Sequence, residues 1–171
     1  LINKFEFCIL FLLFGIVFLS GCNRNEVNLK DGDNHINDEM DEVISNYIIQ
    51  RYFTSYHDTE KQFEVHKVYG TSETDGILSV YMWSYYGGFN KSTGIENQAG
   101  HSLPAVIGLS KKEEKYSVID YIEPQDGNLY QSSLKKMFPN KYLKFAQQDS
   151  GNIGDLEKEM DKKVNEWLEN Q

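Results

Sequence analysis

Three observations on this sequence predict an α+β fold: one helical apolar period near residue 40, four apolar-alternating stretches in succession after it, and a return to helical period beyond residue 127. The expected architecture is an N-terminal helix packed on a four-stranded antiparallel meander, followed by C-terminal helices. Each element has its own residue-level reason.

The first helix is predicted over Asp38 to Phe53. Met40, Val43, Ile44, Tyr47, Ile48 and Tyr52 repeat at the spacing of one buried helical face. Asn37 or Asp38 can cap it, and Asp38, Glu39, Asp41 and Glu42 put negative charge at the positive end of its dipole. Ser45, Asn46 and Gln50 mark the face expected to meet solvent.

Phe63, Val65, Lys67 and Tyr69 alternate with Glu64, His66 and Val68, a half-buried strand expected to end at Gly70. Asp75 and Gly76 supply hairpin-turn chemistry. The second strand, Ile77 to Tyr86, carries Leu78, Val80 and Met82 on one face and Ile77, Tyr81, Trp83 and Tyr85 on the other. A strand apolar on both faces is either central in its sheet or partly open for a ligand. Gly87 to Gly100 reads as a loop with four glycines, and loops of this length in a small domain are commonly functional. The third strand, His101 to Ser110, contains Pro104, which cannot donate to a ladder and so belongs on an edge or at a bulge. A polar turn, Lys111 to Glu114, leads to the fourth strand, Tyr116 to Ile122.

Beyond Pro124, Asp126 and Gly127 make a turn and a short helix is predicted over Asn128 to Phe138, stopped by Pro139. Tyr142, Leu143 and Phe145 are expected to pack back onto the domain. After Ser150, Gly151 and Asn152, a last helix carries the stripe Ile153, Leu156, Met160, Val164, Trp167 and Leu168, which either covers the sheet or meets a partner.

The front of the chain supplies an address. Leu19, Ser20, Gly21 and Cys22 follow an apolar run, Phe7 to Phe18, whose length suits the ~7–15 residues of a signal-peptide core and falls short of the ~20 that span a bilayer. These four residues resemble the lipobox of bacterial lipoproteins, L-[AS]-[GA]-C. The resemblance implies a signal peptide at 1–21 and a diacylglyceryl lipid, with its palmitate-like chains, on the thiol of Cys22. Two acyl chains hold a protein stably at a membrane where one is marginal. The other cysteine, Cys8, falls within the signal, so the folded part is expected to rely on packing alone.

The polar stretch after Cys22 has no apolar period and reads as a flexible tether over 22–37, followed by a roll domain over 38–148 and a C-terminal helix over 149–171. A tether of this length spans about 20 Å when flexible. Within it Asp31, Asp33 and Glu42 have calcium-loop spacing, but His35 and Ile36 occupy a ligand position and the required glycine, so no metal site is expected.

The chain has a net charge of −9, which gives no electrostatic support for nucleic acid or anionic lipid headgroups as ligands. Its richness in Lys, Asn and Ile suits an AT-rich genome, and the expected location is the outer face of the cytoplasmic membrane of a Gram-positive cell.

A single helix across an antiparallel meander resembles the cystatin-like and nuclear-transport-factor-like α+β roll. The run Val80, Tyr81, Met82, Trp83, the segment Glu123 to Tyr130 and the stretch Lys135, Lys136, Met137, Phe138, Pro139 resemble an uncharacterised family of exported Gram-positive domains. That resemblance implies a fold and a location, with no activity and no cofactor beyond the Cys22 lipid. The cystatin wedge motif Gln-x-Val-x-Gly does not occur here.

Candidate chemistry is sparse. His35, His57, His66 and His101 have no neighbouring His, Cys or carboxylate at zinc-site spacing, and no phosphate loop, G-x-S-x-G elbow or HExxH helix occurs. No catalytic residue or metal ligand is assigned. Tyr81, Trp83, Tyr85, Tyr86 and Phe89 are the candidate ligand-binding group, since tyrosine and tryptophan join a flat apolar body to a polar tip. They are either core beneath a helix or a recognition surface for a glycan, a peptide or another envelope protein. The expected function is a membrane-anchored, non-enzymatic binding module of the cell envelope. The alternative is a small roll enzyme in which Asp120 or Glu123 pairs with His66 or His101 for acid–base work.

Overall fold

The computed structural model describes residues 36–56 and 58–170. The lipobox, the tether up to residue 35 and His57 lie outside the described residues.

Helix α1 spans Asp38–Tyr52, and Asn37 caps it, its side-chain oxygen accepting from the Met40 N–H at 2.8 Å. Strands β1 (Lys61–Thr74), β2 (Ile77–Phe89), β3 (Ala99–Lys112) and β4 (Lys115–Ile122) follow and pair antiparallel in chain order. Then come α2 (Tyr130–Met137), α3 (Asn140–Gln148) and α4 (Gly154–Glu169). This is the expected order of helix, meander and C-terminal helices.

Both outer hairpins close on two residues with left-handed backbone. Asp75 and Gly76 have φ of 52° and 76°, the twist that a two-residue turn needs to join right-twisted strands. Glu113 and Glu114 do the same at 49° and 65°, without a glycine to ease it.

The alternation of β2 explains why it is apolar throughout. Val80, Met82 and Tyr86 face α1, where they pack with Ile44, Ile48, Ala105, Ile107 and Leu109. Tyr81, Trp83 and Phe89 face the other way and pack with Leu134, Phe138, Tyr142, Leu156, Met160 and Val164 of the C-terminal segment. The sheet is therefore the middle of three layers, with a separate apolar core on each side. The stripe on α4 covers the sheet.

Four details differ from expectation. β1 does not stop at Gly70: a bulge between Val68 and Gly70 carries it on to Thr74. The bulge seats Tyr142, whose ring stands where a Cβ on Gly70 would project. The glycine segment is a shorter loop than expected, since β2 runs to Phe89 and β3 begins at Ala99, which puts Gly87, Gly88 and Gly100 in strands and leaves 90–98 as the connection. Residues 140–148 form a helix of their own, docked by the buried Tyr142 and Ala146. Ser45 of α1 is turned toward a buried carboxylate, described below, and not toward solvent. Pro104 pairs with Trp83 on one side, while the ladder to β4 starts only at Val106, so it stands where β3 has a single neighbour.

Each edge of the sheet is touched by a long charged side chain from a helix. At β1, Lys163 Nζ of α4 donates to the Glu64 carbonyl at 3.1 Å. At β4, Glu39 Oε1 of α1 accepts from the Tyr116 N–H at 3.2 Å. Such contacts blunt an edge against pairing with another strand.

Candidate functional site

The structure separates the five candidate aromatics. Tyr81, Trp83 and Phe89 are 8 %, 3 % and 1 % exposed beneath the C-terminal helices, and Tyr85 is half-buried on the same face. Their polar tips are satisfied within the fold. Tyr81 Oη lies 3.1 Å from Ser72 Oγ, Trp83 Nε1 donates to Ser102 Oγ at 2.6 Å, and Tyr85 Oη accepts from Asn97 Nδ2 at 3.0 Å. Phe89 packs on Phe63 at 6.0 Å. Tyr81, Trp83 and Phe89 act as core, because α2 to α4 lie over the strand that carries them, and Tyr85 borders that core half-buried. Tyr86 alone points to the α1 side, and there it joins a different cluster.

That cluster lies at one end of the sheet, where Lys61 pairs with Phe89 and Gly88 with Ala99. The connections 53–60 and 90–98 meet there, with the Glu60 N–H donating to Asn90 Oδ1 at 2.9 Å. Phe53 and Ile95, one on each connection, are about half exposed. On the α1 face the register sets Tyr86, which is fully buried, opposite His101, and the two rings stack at 5.4 Å with 13° between their planes. Tyr52, the last residue of α1, meets His101 edge-on at 4.2 Å. Tyr56, on the connection after α1, lies over Tyr86 at 5.4 Å and His101 at 5.8 Å.

The polar rim is uneven. Tyr52 donates a short hydrogen bond to Glu123 and lies 3.4 Å from Tyr121 Oη, with the Arg51 guanidinium 4.8 Å above the Tyr121 ring. Burial, with the Glu123 bond beside it, pushes the Tyr52 phenol up; burial also pushes up Tyr121 and Tyr86 and pulls the His101 imidazole down. All four rings are therefore neutral near pH 7. Tyr86 Oη and His101 Nε2 are buried with no hydrogen-bond partner. Each such orphan costs about 1–3 kcal/mol.

A second polar group is built under α1. Glu64 is 1 % exposed; its carboxylate accepts from Ser84 Oγ at 2.6 Å and Ser45 Oγ at 2.8 Å, and meets His66 Nδ1 at 3.1 Å. His66 Nε2 faces Asp41 Oδ1 at 3.4 Å without hydrogen-bond geometry. Burial opposes charge on both members of the pair. Their mutual attraction and hydrogen bond prevail, holding Glu64 below the usual carboxylate range and His66 above the usual imidazole range. With both side chains sealed from solvent, this group ties α1 to the edge strand and offers no reacting atom to a substrate.

The carboxylate–histidine pairings considered for catalysis are not assembled. Glu123 engages Tyr52, and His66 engages Glu64. Asp120 is exposed on the β3–β4 bulge beside Ile77, on the face opposite both histidines. Among the described residues no group of three or more His, Cys, Asp or Glu is placed to hold a metal ion, and no helix is long and apolar enough to cross a membrane. A groove of about 150 Å³ lies at the far end, between the hairpins, lined by Glu73, Leu78, Lys111 and Tyr116. None of the described buried polar atoms without a partner lines it. The loop end is thus the candidate site.

Sequence reasoning reaches Tyr86, His101 and Glu123 as candidates and misses Tyr52 and Tyr56. Those two stand some thirty residues before Tyr86 and form no local motif with it; only strand register and the end of α1 bring them together. Comparison with protein-family models, curated proteins and solved structures finds no match for this chain.

Proposed function

We propose that this chain is a lipid-anchored binding module of the bacterial cell envelope, held at the outer face of the membrane through Cys22 and binding its ligand at the loop end of the sheet. The observation that carries the binding reading is the pair of buried, unpartnered polar atoms, Tyr86 Oη and His101 Nε2, beneath Tyr56. Buried polar atoms left without a protein partner are places where a ligand or a water molecule can supply one. Leu19, Ser20, Gly21 and Cys22 after the Phe7 to Phe18 run support the anchor.

The enzyme reading draws less support, because the closest carboxylate–histidine pair among the described residues, Glu64 and His66, is sealed from solvent.

Two measurements test the proposal. Cells expressing the full chain are labelled with radioactive palmitate; the label is expected on the wild type and absent from Cys22→Ala, which should be shed into the medium. An unlabelled wild type would sink the anchor. Hydrogen exchange is then followed on the purified chain with isolated envelope material added. Binding at the loop end predicts slower exchange in 53–60 and 90–98, and unchanged exchange there would remove the binding reading.

A further inference from the structure

We infer that the hairpin of α2 and α3 is the face this domain lays on an anionic membrane surface, with Lys135, Lys136, Lys141 and Lys144 at the headgroups and the Phe145 ring among them. The inference goes beyond the loop-end binding reading, and it rests on the anchor half of the proposed function for its proximity to such a surface.

The charge of −9 is unevenly spread along the chain. Residues 127–148 hold four lysines and no aspartate or glutamate, so an acidic protein carries one purely basic segment. Asp149, which closes that segment, is buried; its carboxylate meets Lys67 Nζ at 3.0 Å and accepts from Tyr69 Oη at 2.8 Å. Its charge is thus spent on β1 and not on the lysines of the hairpin.

Folding gathers those lysines on one surface. α2 and α3 turn back on each other at Phe138 and Pro139, and Gln147 Nε2 ties the far end of the seam by donating to Gln131 Oε1 at 3.3 Å. Lys135 stands one turn beyond Gln131 and Lys144 one turn before Gln147, so both flank the seam on the side of that bond. Leu134, Tyr142 and Ala146 are buried toward the sheet, which leaves Lys135, Lys136, Lys141 and Lys144 exposed. Phe145 lies one turn from Lys141 and is 47 % exposed, its ring steadied by stacking on Tyr69 at 5.9 Å. A half-exposed ring among ammonium groups suits a lipid interface, where the ring reaches the acyl boundary and the cations stay at the phosphates.

The place of the hairpin in the fold agrees. Tyr142 fills the space beside Gly70, which pairs with Tyr81 in the half of the sheet nearer the two strand turns. α1 starts at that same end, where Glu39 meets Tyr116. The chain from Cys22 therefore reaches the domain at the end that carries the basic hairpin, and the loop-end site lies at the opposite end. Screening within about 8 Å at physiological ionic strength lets the lysines nearest a membrane outweigh acids elsewhere on the domain.

The test is lysine acetylation of the full chain reconstituted in phosphatidylcholine vesicles with and without phosphatidylglycerol, read residue by residue by mass spectrometry. Lys135, Lys136, Lys141 and Lys144 are expected to react several-fold more slowly on the anionic vesicles, and high salt should remove the difference. Lys158 and Lys162 on α4 should react alike on both. The double variant Lys135→Gln, Lys136→Gln touches no core residue and should weaken the contact about fivefold per lysine removed, so Lys141 and Lys144 regain their reactivity. Equal rates on the two vesicles overturn the inference, as does equal slowing at Lys158 and Lys162. Slowing by soluble polyphosphate but not by anionic vesicles overturns it too, in favour of a phosphate polymer as the ligand. If palmitate labels the wild type while the four lysines react alike on both vesicles, the anchor stands and this face is wrong; if palmitate fails while the slowing occurs, the anchor falls and the face stands as a peripheral contact.

Discussion

His66 Nδ1 and Glu64 Oε2 meet at 3.1 Å under α1, each nearly sealed from water and each favouring the charged state of the other. The pair sets a pH window. Glu64 has a lowered pKa in the fold, so its contribution is present above the unfolded carboxyl value and is lost as pH falls through the folded one. His66 has a raised pKa, so its contribution is complete below the unfolded imidazole value and is lost as pH rises through the folded one. Stabilisation by the pair is therefore greatest between about pH 4.5 and 6.5. Urea unfolding of wild type and Glu64→Gln across pH 3 to 9 should show a difference on the order of 3 kcal/mol in that window, shrinking on both sides. A difference independent of pH would refute the ion pair.

Gly70 and Tyr142 are matched in shape. Gly70→Ala is expected to cost about 2–4 kcal/mol, because the new methyl meets a ring backed by the C-terminal helices. In a double-mutant cycle with Tyr142→Ala the two losses should fall short of additivity. Additive losses would show that the glycine is needed for its backbone alone.

The β3–β4 turn holds two glutamates, Glu113 and Glu114, in left-handed backbone. Placing asparagine and then glycine there, in the double variant Glu113→Asn, Glu114→Gly, relieves that strain and should raise the midpoint of thermal unfolding by about 2–4 °C. The exposed Lys111–Glu114 ion pair that is lost contributes little. A lowered midpoint would mean that the turn is not of this type.

Trp83→Ala should behave as a core truncation, costing about 3–5 kcal/mol, whereas Tyr56→Ala should leave stability close to wild type. Trp83 fills the layer beneath α2 to α4, while Tyr56 sits on a connection. Calorimetric midpoints of the two variants decide this, and the reverse order would relocate the site.

Much of the fold is legible in the sequence because its signals are local. The helical period of α1, the doubly apolar β2 and the Asp75–Gly76 turn each need only neighbouring residues to be read. Signals with two meanings mislead. Gly70 reads as a strand end and is a bulge that admits Tyr142. Pro139 reads as the stop of α2 and is also the cap of α3, since proline fits the start of a helix as readily as it ends one. Gly87, Gly88 and Gly100 read as loop and stand in strands where other groups come close, Thr59 against Gly88 among them. The candidate site is legible only in fragments. Ser45 reads as solvated because nothing local shows that it faces Glu64. Tyr52 and Tyr56 gain meaning only once the pairing of Tyr86 with His101 is known.

The side chains at the two sheet edges bear on how this domain lives among its own copies. Molecules tethered to a membrane share a thin layer in which local concentration is high, and bare strand edges there would zip neighbours into a continuous ribbon. Lys163 puts a cation on a carbonyl of one edge, and Glu39 puts a carboxylate on an amide of the other. Under the proposed membrane anchoring, copies crowded shoulder to shoulder would stay separate.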